Sequence, residues 1–489
     1  MAEEQIDNGL SLLWEKVLAD RCNILFIMAD QFRHDALFHT GGIGRTHALD
    51  ELAAEGVSFR HAVTNSPECM PARFALATGL YPHQTGVWRN AVATLSPSVW
   101  NWTQSLASAG YQTSVFGKTH FHECAQPSGD LRDGVELLKG YGFIDGDEIA
   151  GPRASMRMRT AMTESWDRLG LWDDYRRDFE ERFAGNAWAV RPSPLGLEHY
   201  YDTYVGRRAR DYLSSYDRPE PWFCWVSFAG PHEPWDAPAP YDKLHSPLDM
   251  HKAIPRMSES GAARSLLGDA FTNPEKAAPQ DEGDISALRA NYAGNVTLID
   301  DQIAKIMELL KSTSAYENTL ILFTSDHGEM NGDHGLLYKG NFLSSAVDIP
   351  FIVRPPHGRV AKRDSLPDTL VELVDAGSTI LDYAGIPQPY ASNGRSLRPL
   401  IEGETDCHRQ YVASEFANNT MIATRFWKCE FDMNNEPVLL FDLVSDRDEQ
   451  FNLIGQSRLD QVVTSLRTIL SAHRAKASGR YNITVETNE

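Results

Sequence analysis

Short apolar runs that end in reactive polar residues constrain this chain more than any other feature. "NILFIMAD" (Asn23–Asp30), "YQTSVFGK" (Tyr111–Lys118), "WFCWVSFAGPH" (Trp222–His232), "TLILFTSDHGE" (Thr319–Glu329) and "PFIVRPP" (Pro350–Pro356) are continuous rather than alternating. Continuity of this kind suits strands buried on both faces of a mainly parallel sheet. Helix-period segments lie between them. In "ALRANYAGNVTLIDDQIAKIMELLKST", Leu288, Tyr292, Val296, Ile299, Ile303, Ile306 and Leu310 recur at three- and four-residue steps. "LPDTLVELVDAGSTILDYAGI" predicts a second helix, with Asp368 as N-cap and Gly385 near its end. Strands alternating with helices predict an α/β sandwich, a mixed and mostly parallel central sheet between helical layers.

The polar residues at the ends of these runs carry the functional signal. Asp30-Gln31, Lys118 with His120, His232, and Asp326-His327 all follow apolar runs. Ligands of open α/β sheets bind beyond the carboxyl ends of the strands. One such residue reads as a turn or a cap; repetition along one sheet edge marks a site.

At 489 residues the chain exceeds one typical core. The strand–helix alternation places an α/β catalytic domain over 1–400. Beyond it, "YVASEF", "MIATRFWKCEFD" and "PVLLFDLVSD" read as antiparallel strands, and "LDQVVTSLRTILSAHRAKA" reads as an amphipathic helix. These make residues 401–489 a smaller α+β subdomain carrying an antiparallel sheet. The stretches Gly129–Gly196 and Tyr241–Asp284 read as irregular, candidate walls of a substrate pocket or surface insertions. Trp166, Trp172 and Trp188 there are candidates for stacking on a ligand or for packing.

A net charge of −21 argues against nucleic acid as a partner. No apolar run approaches the roughly 20 residues that span a bilayer, so no membrane partner is expected. The acidic N-terminus lacks a basic n-region and a cleavage signal, and its "LSLLWEKVL" predicts a short amphipathic helix. Six scattered cysteines form no C-x-x-C pair. A reduced, cytoplasmic protein is the expectation.

Asp30, Asp326 and His327, with the Gln31 amide oxygen, make an oxygen-rich donor set for one divalent cation. Carboxylates with one imidazole suit Ca²⁺, Mg²⁺ or Mn²⁺ better than structural Zn²⁺. Lys118, His120, His232 and Lys339 add cations and proton-transfer groups suited to a tetrahedral oxyanion. Cys69, in "NSPECMPARF", reads by itself as a small buried hydrophobe.

Its neighbours change that reading. Cys69-Met70-Pro71-Ala72-Arg73 is a C-x-P-x-R element. "TGLYPHQTG" (Thr78–Gly86), "FGKTHF" (Phe116–Phe121), "GPHEPW" (Gly230–Trp235), "SDHGEMNGDHGLLYKGNF" (Ser325–Phe342), "NGRSLRPLI" (Asn393–Ile401) and "LFDLVSDRDEQFNL" (Leu440–Leu453) follow in order. Together these resemble the type I sulfatases of the alkaline-phosphatase superfamily across nearly the whole chain. The resemblance implies that a formylglycine-generating enzyme oxidises Cys69 to Cα-formylglycine. It further implies hydrolysis of a small anionic sulfate ester, from a sulfated sugar or small organosulfate, through a covalent sulfoenzyme intermediate.

By the same resemblance Asp30, Gln31, residue 69, Asp326 and His327 would hold the metal, most often Ca²⁺. Arg73 would hold the formylglycine diol, and Lys118 and Lys339 would clamp the sulfate. His120 would take the diol proton, His232 would protonate the leaving alcohol, and Asn90 would touch substrate oxygens. Homo-oligomers are common in relatives. The chain departs from the pattern at Gln31 and His327, where many members have Asp and Asn, and at Leu80, where many have Arg. The first two changes resemble the choline-sulfatase-like and phosphonate-monoester-hydrolase branches, so Mn²⁺ or Mg²⁺ and a phosphonate ester or phosphodiester stay open as alternatives. A third reading is a non-catalytic relative that keeps a Cys69 thiol and only binds an anion.

Overall fold

The run Asn23–Asp30 becomes the centre of the molecule. The computed structural model describes residues 21–90, 93–122, 130–185, 188–258, 262, 264–358, 369–388 and 392–475. Its strands are β1 (Asn23–Asp30), β2 (Val57–Ser58), β3 (His61–Val63), β4 (Gln112–Gly117), β5 (Asp145–Glu148), β6 (Trp222–Pro231) and β7 (Thr319–Ser325), followed by β8 (Phe351–Arg354), β9 (Leu370–Glu372), β10 (Val412–Phe416), β11 (Asn419–Ala423), β12 (Trp427–Phe431) and β13 (Pro437–Asp442). A seven-stranded sheet runs in the order β2-β8-β7-β1-β6-β4-β5. β7, β1, β6, β4 and β5 are parallel; β8 and β2 close one edge antiparallel.

Each face of β1 fills a different core. Leu25, Ile27 and Ala29 pack into one cluster, with Ile299, Ile303 and Ile306. Ile24, Phe26 and Met28 pack into the other, with Trp102, Phe223 and Leu322. This is why the run is continuous: alternate side chains point to opposite faces, and both faces are dry.

The helices that matter here are α1 (Cys69–Thr78), α2 (Tyr201–Ser215), α3 (Glu282–Ser312), α4 (Asp375–Tyr383) and α5 (Asp460–Ala475). α2 and α3 cover the first face, α1 and α4 the second. α3 carries the predicted stripe, with Leu288, Tyr292, Val296, Ile299, Ile303, Ile306 and Leu310 all buried. Asp281 caps it by accepting from the amides of Gly283 and Asp284 at 2.8 and 3.2 Å. β10–β13 form a separate four-stranded antiparallel sheet, on which Leu466 and Leu470 of α5 pack. No helix among the described residues is long and apolar enough to cross a membrane.

The structure corrects several local expectations. The helix predicted from Asp368 begins only at Asp375, and Asp368 lies outside the described residues. Leu370–Glu372 is instead β9, parallel to β3, because ladder pairing with His61–Val63 overrides helix propensity. The predicted stop holds: Gly385, at φ 68°, lies just past α4 in the left-handed region. Much of Gly129–Gly196 is helical, including Ala161–Arg168 and Trp172–Gly185. Trp166 and Trp172 are core residues whose indole N–H groups donate to the carbonyls of His199 and Ser155, and Trp188 packs against the same core. The N-terminal "LSLLWEKVL" lies outside the described residues.

Ile303 is fully buried between α3 and the sheet. Ile303→Ala is expected to cost about 2–5 kcal/mol of stability, the usual penalty for a core cavity, measured by urea unfolding.

Candidate active site

Parallel register brings the strand ends to one edge. Ala29 lies opposite Ser325 and Asp30 opposite Pro231, so Asp30, Asp326 and His232 emerge together. Gly117 pairs with Ser227 and delivers Lys118 to the same edge. Gly117 has φ 113°, and a Cβ there would lie 1.9 Å from the Ser227 carbonyl, so only glycine fits. The Lys118 amide then donates to that carbonyl at 3.0 Å. Gln31 and His120, next to the strand ends, have φ of 66° and 56°. Non-glycine residues held in the left-handed region cost free energy and cluster at functional sites.

Cys69 is the first residue of α1, whose residues are all buried. Arg73 follows one helical turn later on the same face. Its guanidinium is entirely buried. It donates to Asp326 Oδ2 at 2.8 Å, to Asp30 Oδ2 at 3.1 Å and to the Lys118 carbonyl at 2.6 Å. The Lys118 ammonium also donates to Asp30 Oδ2. Burial and Cys69 push the Asp30 carboxyl up, but Lys118, His232 and Arg73 outweigh them and hold it ionised, well below the usual range.

Asp30, Cys69, Asp326 and His327 bring ligand-type atoms within 4.8 Å of one another. His327 Nε2 lies 3.1 Å from Cys69 Sγ, 3.9 Å from Asp30 Oδ1 and 3.8 Å from Asp326 Oδ1. The two carboxylate spacings are too long for hydrogen bonds; oxygens converging without bonding each other suit a shared cation. Burial lowers the His327 pKa, but Asp326 and Cys69 outweigh it and raise it to about 9. A cation among these donors reverses that preference and keeps the ring neutral as a ligand. The residues present therefore fit a divalent metal.

Gln31 is placed differently from the other predicted ligands. Its amide oxygen accepts from the Lys339 ammonium, and its Nε2 donates to Glu233 Oε2 at 3.0 Å and to Glu329 Oε2. Only its backbone N–H reaches the cluster, donating to Asp326 Oδ1 at 3.0 Å. Lys339 also donates to His232 Nε2 at 2.9 Å, while His232 Nδ1 donates to the Glu233 carbonyl at 2.8 Å. That pair of contacts sets the His232 tautomer. Asn90 is exposed, and its Oδ1 accepts from the Met70 amide at 2.8 Å, capping α1 from outside.

The thiol at position 69 sits in a strongly cationic setting. Burial pushes it up, yet Lys118, Lys339 and His327 hold it well below its ordinary value. His120 hydrogen-bonds Cys69, and burial lowers its pKa, so the ring is a free base at neutral pH. His120 Nδ1 is buried and has no hydrogen-bond partner among the described residues.

Sequence reasoning missed Glu233 and Glu329. Both are buried, and through Gln31 they orient Lys339. Their positions, directly after His232 and inside "DHGEMNGDHG", were the available signal. It also missed Arg153, whose Nε donates to Glu233 Oε1 at 3.1 Å. Asp202 was missed as well. The β1–β6 pairing jumps from Phe228 to Pro231, leaving the Ala229 and Gly230 amides without a ladder partner. Asp202 Oδ1 accepts both, at 2.8 and 3.1 Å, just before His232.

A model of the Sulfatase family matches residues 22–386. A model of the C-terminal part of N-sulphoglucosamine sulphohydrolase matches residues 332–476. The chain is 28% identical over 479 residues to an arylsulfatase of Clostridium perfringens (strain 13 / Type A), covering 92% of this chain and 93% of the relative. It is 30% identical over 491 residues to the multifunctional alkaline phosphatase superfamily protein PehA of Trinickia caryophylli, covering 89% and 91%. Among solved structures, the phosphonate monoester hydrolase of Agrobacterium radiobacter superposes with a TM-score of 0.76 at 25% identity, covering 94% of this chain and 96% of that one.

Removing Arg73 strands two buried carboxylates. Arg73→Met is expected to cost about 3–5 kcal/mol in urea unfolding, partly restored by adding Asp30→Asn. Asp202 gives a pH signature. Burial raises its carboxyl from 3.8 to about 7, against the pull of the two amides. A raised acid contributes stability below its unfolded pKa and loses it as pH rises through the folded value. Asp202→Asn should therefore melt higher than the parent at about pH 8, with the advantage shrinking toward about pH 4.

Proposed function

The chain belongs to the sulfatase family, the sulfuric ester hydrolases, and on that premise we propose that it cleaves a small anionic sulfate monoester, from a sulfated sugar or small organosulfate, at Cys69 after its conversion to Cα-formylglycine. One observation carries the reading: Cys69 opens α1 beside Asp30 and His327, while Arg73, one turn on, ties Asp30 to Asp326. A formylglycine-generating enzyme is the implied modifying partner. We place the protein in a reducing cytoplasm, in keeping with the free thiols of Cys22, Cys69, Cys224, Cys407 and Cys429.

Asp30, Asp326, His327 and residue 69 would hold the ion, Ca²⁺ in this reading, with Mn²⁺ or Mg²⁺ compatible with the same donors. Bound there, the ion supplies Lewis acidity, and the hydrated formylglycine supplies the attacking hydroxyl. The chain's own groups do the rest. Lys118 and Lys339 place ammonium charge around the sulfate oxygens, where transferred charge accumulates. Gln31, held by Glu233 and Glu329, fixes the Lys339 end of that clamp. His232, its Nδ1 engaged by the Glu233 carbonyl, meets the Lys339 ammonium through Nε2 at 2.9 Å, and a proton passed from Lys339 to Nε2 is the one it would deliver to the leaving alcohol. His120, neutral and hydrogen-bonded to residue 69, accepts the proton released when sulfate departs.

A phosphonate monoester or phosphodiester is the second reading, favoured by Gln31 and His327 and by the likeness to the phosphonate monoester hydrolase fold. Paired rates on a phenyl phosphonate and an aryl sulfate separate the two. Protein produced with the modifying enzyme should show an aldehyde at position 69 by peptide mass mapping. Cys69→Ala should then lower aryl sulfate turnover by at least about a thousandfold, as loss of a covalent nucleophile does. Full activity in that variant would refute the proposal.

A further inference from the structure

Beside Lys339 lies a second group of cations that the reaction does not use. Lys276, at the end of the turn Pro274–Lys276, donates its ammonium to the Lys339 carbonyl at 2.8 Å. A Cβ on Gly340 would lie 2.9 Å from that ammonium and 3.3 Å from the Phe416 ring, so the two meet over the glycine. The Arg89 guanidinium covers the same ring at 5.1 Å. Arg89 directly precedes Asn90, which caps the α1 turn that starts with Cys69. The segments flanking the nucleophile and the sulfate clamp thus each send a cation to one aromatic platform.

Neither cation forms an ion pair among the described residues. Glu68, one of the acids acting on Lys276, also accepts from the Asn90 amide. Burial lowers the Lys276 pKa, and Lys339 and Arg89 lower it further against the pull of Glu68 and Asp269. Lys276 is half-buried beside Lys339 and Arg89 is exposed above the same ring, so the cations gather on one side of the site in a chain that carries a net charge of −21. Such clusters are relieved by a bound anion. The ester sulfate is already matched to Lys118 and Lys339, so the second anion belongs to the alcohol.

We propose that Arg89 and Lys276, on the Phe416 platform, bind an anionic substituent of the leaving alcohol, a carboxylate or a second sulfate. The inference rests on the sulfatase reading for which side of the site the alcohol occupies. It selects among leaving groups: acidic sugars and aromatic acids fit, and a choline-like cationic alcohol does not.

The test compares 4-nitrophenyl sulfate with 4-sulfooxybenzoate and with hydroquinone disulfate, using formylglycine-bearing parent, Arg89→Gln and Lys276→Gln. Glutamine retains a donor for the Lys339 carbonyl in the second variant. Intrinsic reactivities cancel when kcat/KM ratios, charged substrate over 4-nitrophenyl sulfate, are compared between proteins. Lys276→Gln should lower that ratio about fivefold to tenfold, as loss of a partly buried charge contact does, and Arg89→Gln, at an exposed position, about twofold to fivefold. Whichever charged substrate shows the drop identifies the anion. Ratios unchanged in both variants would overturn the proposal. If the parent hydrolyses no sulfate ester, the sulfatase reading fails separately. Calorimetric binding of 4-sulfooxybenzoate against phenyl sulfate then decides: an affinity gap that the variants lose supports the subsite, and equal affinities overturn it.

Discussion

Everything at the site depends on one guanidinium holding two carboxylates. Arg73 lies between Asp30 and Asp326 with no exposure to water, and both acids sit at the ends of neighbouring parallel strands. Alone, two buried carboxylates at this spacing repel and one takes up a proton. Lys118, His232 and Arg73 hold Asp30 ionised against that tendency, and Arg73 gives Asp326 a buried partner as well. Because Arg73 stands one turn after Cys69, the same contact also positions Cys69 against the cluster. Arginine suits the position since its planar fork reaches both acids and a carbonyl together.

The C-terminal sheet and the β9–α4 segment together grip the chain on both sides of α1. Upstream, Asn65 accepts from the Val374 amide, and its carbonyl accepts from the Glu415 amide. Downstream, the Tyr81 hydroxyl donates to Glu372, and His83 bonds Glu415, which also meets His473 of α5 at 2.8 Å. The helix that opens with Cys69 is thus braced by elements far along the chain. Phe416, the aromatic platform beside Lys339, comes from the same strand β10.

The sheet, its strand ends and the gathering of Asp30, Cys69, Arg73, Lys118, His120, His232, Asp326 and His327 were legible in the sequence. Continuous apolar runs fix which residues are buried on both faces, and parallel register then sends their last residues to one edge. Orientation was not legible. Gln31 has a ligand-type side chain, but its rotation toward Lys339 is decided by Glu233 and Glu329, which are distant in sequence. Leu370–Glu372 has helix-compatible residues, yet β3 supplies a ladder partner that local propensity cannot reveal. For Trp166 and Trp172 the sequence leaves stacking and packing both open because their segment lacks a simple period; helices bury them, and the carbonyls of His199 and Ser155 satisfy their indoles.

The Arg73–Asp326 pair joins residues 253 positions apart, and Lys339 meets Gln31 across 308. No contiguous stretch of the chain contains a working fraction of this site. Contacts of such separation carry the greatest loop-closure cost and are rewarded only once the intervening sheet exists. The cluster is therefore a reporter of complete folding: while β7 is unpaired, the helix bearing Cys69 lacks the partners that strand delivers, and the gathering of charges does not exist in part.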